Sequence, residues 1–120
     1  MQLQILKSKI HRARVTDASL DYEGSLTIDR AIMEKIGIFP YEKVLCGNMA
    51  NGNRFETYAI AGEPGSGVIC LNGAVARLGK KGDLLTIMTF ARMTPEEARN
   101  FKPRVVVLGE DNRIISERGT

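Results

Sequence analysis

Three short stretches carry side chains that can do chemistry together: Tyr22-Glu23-Gly24-Ser25, Lys9-Ile10-His11-Arg12 and Arg54-Phe55-Glu56-Thr57-Tyr58. In a Gly-Ser pair set among cations and hydroxyls, the serine oxygen can attack the carbonyl before it. The peptide becomes an ester, the ester eliminates, and residue 25 is left as a carbonyl group, a pyruvoyl, capping a new chain. None of the twenty side chains is an electrophile, so a chain that makes one gains chemistry otherwise done by a bound cofactor. Glycine before Ser25 leaves the backbone free to reach the geometry of attack. Each residue alone has a plainer use. Gly24-Ser25 can simply begin a strand, and Gly65-Ser66 repeats the dipeptide. Alternation puts Lys9 and His11 on one strand face with Arg12 opposite, an ordinary solvated arrangement. Arg54 suits an exposed hairpin and Tyr58 suits core or rim packing.

Other chemistries lack their parts. His11 is the only histidine, and no Cys-x-x-Cys or His-Glu-x-x-His spacing is present, so no metal site is expected. No Gly-x-Ser-x-Gly elbow supports a Ser-His-Asp hydrolase. Gly62-Glu63-Pro64-Gly65-Ser66-Gly67 lacks the lysine and hydroxyl of a phosphate loop and reads as a turn. The chain has 120 residues, 43% apolar and 26% charged, which fits one globular domain. No apolar run approaches the roughly 20 residues of a membrane helix, and the first residues lack the apolar core of a signal peptide. A cytoplasmic location without membrane attachment is expected. Cys46 and Cys70 lie in apolar runs and read as free buried thiols. A net charge of +3 permits nucleic-acid binding and equally favours a small dianionic substrate. With aromatics at only 6% there are few platforms for stacking bases.

The elements that must hold these residues are mostly short strands. β-favouring residues run over 2–7 and 9–16, with a break near Lys7-Ser8, and Ser25 begins a strand through Ile28. Asp29 caps a helix with Ile32, Met33 and Ile36 on one face and Gly37 as its stop. Lys43–Asn48 and Arg54–Ala61 are strands joined by the Asn51-Gly52 turn. Val68–Leu71 is a strand, Asn72–Ala76 opens a short helix, and Leu84–Phe90 reads as a strand buried on both faces. Thr94-Pro95-Glu96-Glu97 starts a helix. Arg104–Leu108 and Arg113–Ile115 form a final hairpin. Strands at this spacing suggest a small barrel and not a βαβ sheet.

In combination the motifs go further. Lys9-Ile10-His11-Arg12, Tyr22-Glu23-Gly24-Ser25, Ile28-Asp29, Asn51 to Ile60, Asn72-Gly73-Ala74, Gly82-Asp83 and Glu96-Glu97-Ala98-Arg99 resemble, in order and spacing, the pyruvoyl-dependent aspartate 1-decarboxylases. The resemblance covers roughly Leu6 to Leu108. It implies a mainly β fold, a double-psi β-barrel with a few short helices, and a single domain 1–120 that cleaves itself into 1–24 (the β chain) and 25–120 (the α chain). It implies decarboxylation of L-aspartate to β-alanine and carbon dioxide, supplying pantothenate (coenzyme A) biosynthesis. The covalent pyruvoyl derived from Ser25 would be the only cofactor, without metal or pyridoxal phosphate, and would join the substrate as a Schiff base. Tyr58 would be the proton donor, and Thr57 would support cleavage at Gly24-Ser25 and lie at the substrate site. Lys9, His11, Tyr22, Arg54, Asn72, Gly73, Ala74 and Val75 would bind or line the substrate, with Arg54 on a carboxylate. The resemblance also implies a homotetramer with active sites between subunits, and it leaves open a maturation partner. Many members carry tryptophan where this chain has Gly47, and alanine at the position of Val75. The alternative is a small basic barrel that binds nucleic acid without catalysis.

Overall fold

The computed structural model describes residues 1–120. Nine strands occur in chain order with two helices: β1 Leu3–Arg14, β2 Asp17–Ser19, β3 Ser25–Asp29, α1 Arg30–Ile36, β4 Lys43–Asn48, β5 Arg54–Gly62, β6 Ile69–Asn72, β7 Leu84–Met93, α2 Pro95–Asn100, β8 Arg104–Leu108 and β9 Ile114–Arg118. Their lateral order is β2-β6-β3-β5-β4-β7-β1-β8-β9. Only Val15 and Thr16 separate β1 from β2, and Val15 N–H donates to Asp83 O while Thr16 N–H donates to Ile69 O. One run of chain therefore pairs with β7 at its start and with β6 at its end, which joins the two sides of the sheet. The pairs β2–β6, β3–β5 and β1–β8 are parallel and the remaining neighbours are antiparallel. This is mainly β architecture consistent with a double-psi barrel.

β5 is the strand that spans both halves. Its first part pairs with β4, from Gly47↔Arg54 to Lys43↔Tyr58. Its second part pairs with β3, from Leu26↔Ala59 to Asp29↔Gly62. Ile10, Leu26, Ile28, Val44, Phe55, Ala59, Ile69, Leu71, Leu85 and Ile87 fill the core at alternate strand positions.

Local signals formed as their chemistry dictates. The Asp29 carboxylate accepts from Ala31 N–H at 2.8 Å and also from Gly65 and Gly67 N–H, tying the start of α1 to the loop before β6. A cap of this kind stabilises by about 1 kcal/mol. Gly37 closes the helix at φ 74, where a side chain would be strained. Ser8 Oγ donates to the terminal Ile36 carbonyl at 2.6 Å. Thr94 and Glu97 form a reciprocal capping box on α2. No helix is long and apolar enough to cross a membrane.

Four expectations need correction. β1 is continuous through Lys7-Ser8, because a register shift between Leu6 and Ser8 absorbs the irregularity as a bulge. Arg12 does not follow the simple alternation that set it opposite Lys9 and His11. It takes φ 64 at a second shift between Ile10 and Ala13 and is exposed. β7 is not buried on both faces: Leu85, Ile87 and Thr89 are buried, whereas Leu84, Thr86 and Met88 are only partly covered and Phe90 is 40% exposed. A continuous apolar run cannot reveal which face a single chain leaves uncovered. The expected short helix after Asn72 does form, as a 3₁₀ helix over Gly73–Arg77. Both cysteines are free, but only Cys46 is buried; Cys70 is half-buried.

Candidate active site

The register places Ser25 at a crossing of three strands. Ser25 lies opposite Asn72 in the antiparallel β3–β6 pair. In the parallel β3–β5 pair Leu26 faces Ala59, so one position earlier Ser25 lies beside Tyr58. Asn72, Ser25 and Tyr58 thus form one lateral row, and side chains in such a row share a face. All three line a cavity of about 470 Å³ together with Asp21, Tyr22, Glu23, Tyr41 and Ile60.

Ser25 is 3% exposed and Asn72 4%. Asn72 Nδ2 donates to Ser25 Oγ at 3.0 Å and to Thr27 Oγ1 at 2.9 Å. The Ser25 hydroxyl also donates toward the Glu23 carbonyl, 3.5 Å away and one peptide before the Gly24–Ser25 bond. Gly73 holds that main chain closely. A Cβ there would lie 2.8 Å from both Cα and N of Gly24 and 2.9 Å from the Tyr22 carbonyl oxygen, and Gly73 itself has φ 73. Only glycine meets both the backbone angle and the close approach. The residues present therefore fit the formation of a carbonyl at position 25: a buried hydroxyl, a donor on its oxygen, and a glycine cradle against the preceding peptide.

Lys9 and Arg54 are elsewhere. They line a second cavity of about 430 Å³ with Gly47, Asn48, Met49, Gly52, Thr86 and Met88. Arg54 and Tyr58 share a face of β5, but four residues along a strand is about 13 Å. Neither Lys9 nor Arg54 joins any of the ion pairs in the chain. Gly47 pairs with Arg54 and Thr86, and a Cβ there would meet nothing within 4 Å. The position where tryptophan is common in the resembled family is thus open space beside the arginine.

The remaining expected residues are scattered. His11 lines neither cavity, and its Nδ1 is buried without a hydrogen-bond partner. Thr57 shares the alternate β5 face with buried Phe55 and Ala59 and makes no hydrogen bond to Ser25. Ala74 is exposed, while the Val75 side chain belongs to the core.

Tyr41, Ile60, Thr27 and Cys70 do not stand out in the sequence. Tyr41 stacks obliquely on Tyr58, with ring centroids 6.4 Å apart, and takes φ 72 after Pro40. A Pro-Tyr turn is the one signal that marks it. Burial pushes the Cys46 thiol up to about 12, which keeps it out of reactions near neutrality. No group of three or more His, Cys, Asp or Glu side chains converges as a metal site would need.

Residues 1–115 match the aspartate decarboxylase family. An aspartate 1-decarboxylase of Clostridium acetobutylicum is 57% identical over 114 residues, 95% of this chain and 90% of that protein. One from Syntrophobacter fumaroxidans is 56% identical over 117 residues, covering 98% and 94%. One from Thermoanaerobacter pseudethanolicus is 54% identical over 116 residues, covering 97% and 99%.

Proposed function

The chain belongs to the aspartate decarboxylase family, and from that premise we propose that it converts L-aspartate to β-alanine and carbon dioxide after cutting itself between Gly24 and Ser25. Its product supplies pantothenate synthesis. The observation that carries this reading is the Asn72–Ser25–Tyr58 row, opening on one cavity with Gly73 seated against Gly24.

Maturation uses the chain's own atoms. Ser25 Oγ attacks the Gly24 carbonyl carbon, the Gly24–Ser25 C–N bond breaks, and the nitrogen of residue 25 is freed as the ester forms. Loss of the α-proton of residue 25 breaks its Cβ–Oγ bond, and the oxygen leaves with the Gly24 carboxylate. Water then hydrolyses the enamine, ammonia departs, and residue 25 ends as a pyruvoyl ketone. No oxidant or metal is consumed. Asn72 can steady the developing charge on Oγ, and Thr57 is the assigned support for the tetrahedral oxyanion. The 1–24 piece stays in place because it contains β1, which pairs along β7 and β8.

A carbonyl at position 25 supplies the sink for the electron pair left when the α-carboxylate departs. Tyr58 delivers the proton to the α-carbon. Arg54 grips the retained β-carboxylate by two parallel hydrogen bonds and never loses its charge, with Lys9 adding a second cation. Tyr22, His11 and the main chain of Gly73-Ala74-Val75 complete the walls. Within one chain Arg54 stands apart from Ser25, which supports a homotetramer in which one subunit's Lys9 and Arg54 complete another subunit's Ser25 cavity.

Denaturing intact mass tests the reading. Wild-type protein should separate into 1–24 and 25–120, the larger beginning with a blocked ketone one ammonia lighter than serine. Ser25→Ala should remain one chain. A single wild-type mass after prolonged warming would end the autonomous reading and return the small basic barrel that binds nucleic acid.

A further inference from the structure

Ser25, Thr27, Cys70 and Asn72 form a square on two adjacent strands. Ser25 pairs with Asn72 and Thr27 with Cys70, so all four side chains share one face. Cys70 Sγ lies 3.2 Å from Asn72 Oδ1 and donates its hydrogen there. Asn72 Nδ2 in turn spends its two hydrogens on the hydroxyls of Ser25 and Thr27. A primary amide has one acceptor end and one donor end, and in this orientation both N–H groups donate and the oxygen accepts from the thiol. Turned over, its N–H groups would face sulfur, a weak acceptor, and its oxygen would face Ser25.

We propose that Cys70 and Thr27 are positioning residues for cleavage at Gly24–Ser25, acting through the Asn72 carboxamide by holding its donor end on Ser25 Oγ. This rests on Ser25 being the nucleophile. A donor on Oγ stabilises the oxygen as its proton leaves, whereas an amide oxygen there would accept that proton's hydrogen bond and hold it in place. The thiol keeps the hydrogen it donates, because burial pushes the Cys70 thiol up and the carboxylate of Asp17, its register partner on β2, pushes it further. Ile60 lies beside Thr27 on β5 and lines the Ser25 cavity, so the square stands at its wall.

The test follows first-order chain cleavage of purified precursors by intact mass, with thermal melting recorded for each. Cys70→Ala should slow cleavage by about threefold to tenfold, the loss of one weak hydrogen bond amplified through the amide. Cys70→Ser should restore the rate, since a hydroxyl also donates. Thr27→Val should slow cleavage and Thr27→Ser restore it. In an Asn72→Ala background, Cys70→Ala should add nothing further. Cleavage of Cys70→Ala at the wild-type rate overturns the proposal while leaving the Ser25 reading intact. So does a Cys70→Ser variant as slow as the alanine, or effects of Cys70→Ala and Asn72→Ala that multiply. If Asn72→Ala does not cleave at all, the alanine–serine contrast at Cys70 decides; if Cys70→Ala does not fold, the valine–serine contrast at Thr27 decides. A wild-type precursor that never cleaves removes the Ser25 reading, and the proposal with it.

Discussion

Around Ser25 the polar side chains are joined through Asn72, which hydrogen-bonds Ser25, Thr27 and Cys70. At the far end of β5, Arg54 is exposed and Lys9 only half-covered, and neither has an ion pair. The difference matches the two roles proposed for these regions. Bond cleavage within one chain needs atoms held in fixed positions before anything binds. Recognition of a carboxylate needs a cation that no internal partner already neutralises. Burying such a cation unpaired would carry a heavy desolvation cost, and Arg54 stands at the surface. The Ser25 region is joined within the chain, and the Arg54 region is left without an internal ion-pair partner.

Three substitutions grade that division. The largest effect is expected at Tyr58, which stands in the row. Tyr58→Phe keeps the ring and its packing but removes the only assigned proton, so release of β-alanine should fall by about 10²–10⁴-fold. Chain cleavage should persist, and borohydride should still retain aspartate on the 25–120 chain. Turnover at the wild-type rate would make Tyr58 a packing residue; loss of both cleavage and trapping would move it into maturation.

Arg54→Ala comes next. Removing one partner of a charged contact costs about 2–5 kcal/mol, and the loss should appear in kcat/KM for aspartate while cleavage into two chains proceeds. A variant that fails to cleave would erase the distinction between the two regions. Near-normal kcat/KM would strip Arg54 of its carboxylate.

The smallest effect concerns the scaffold behind Arg54. Asn48 lines the Arg54 cavity and donates from Nδ2 to Asp83 at 2.9 Å. That hydrogen bond, with others from Lys80, holds the Asp83 carboxyl below its usual range against the opposing effect of burial. A carboxylate depressed on folding stabilises the protein above its unfolded value, about 3.9. That stabilisation is lost as pH falls from there through the lower folded value. Melting temperature should therefore drop more between pH 5 and pH 3 in wild type than in Asp83→Asn. Parallel curves would show that Asp83 contributes no pH-dependent anchor to this region.

Much of the fold was legible because its signals are local. Asp29 through Gly37, Asn51-Gly52, and Thr94 through Glu97 each carry a cap or turn within a few residues, and each formed where its chemistry placed it. The extent of cover over β7 and the direction of Arg12 were not legible, since both depend on which strands lie alongside and where bulges fall. Tyr41 and Ile60 reach the Ser25 cavity only through pairing with segments far away in sequence.

By itself, the sequence determined the reactive vocabulary: a Gly-Ser bond, a tyrosine, an arginine, and the family pattern binding them together. Residue type sets which bonds an atom can make, and that is independent of fold. Only the tertiary structure decided which of these groups meet. The register of β3 between β5 and β6 set Asn72, Ser25 and Tyr58 in one row, and the length of β5 kept Arg54 about 13 Å away. A shift of one residue in either pairing would turn the serine's neighbours to the opposite face, and no local signal in the chain records that choice.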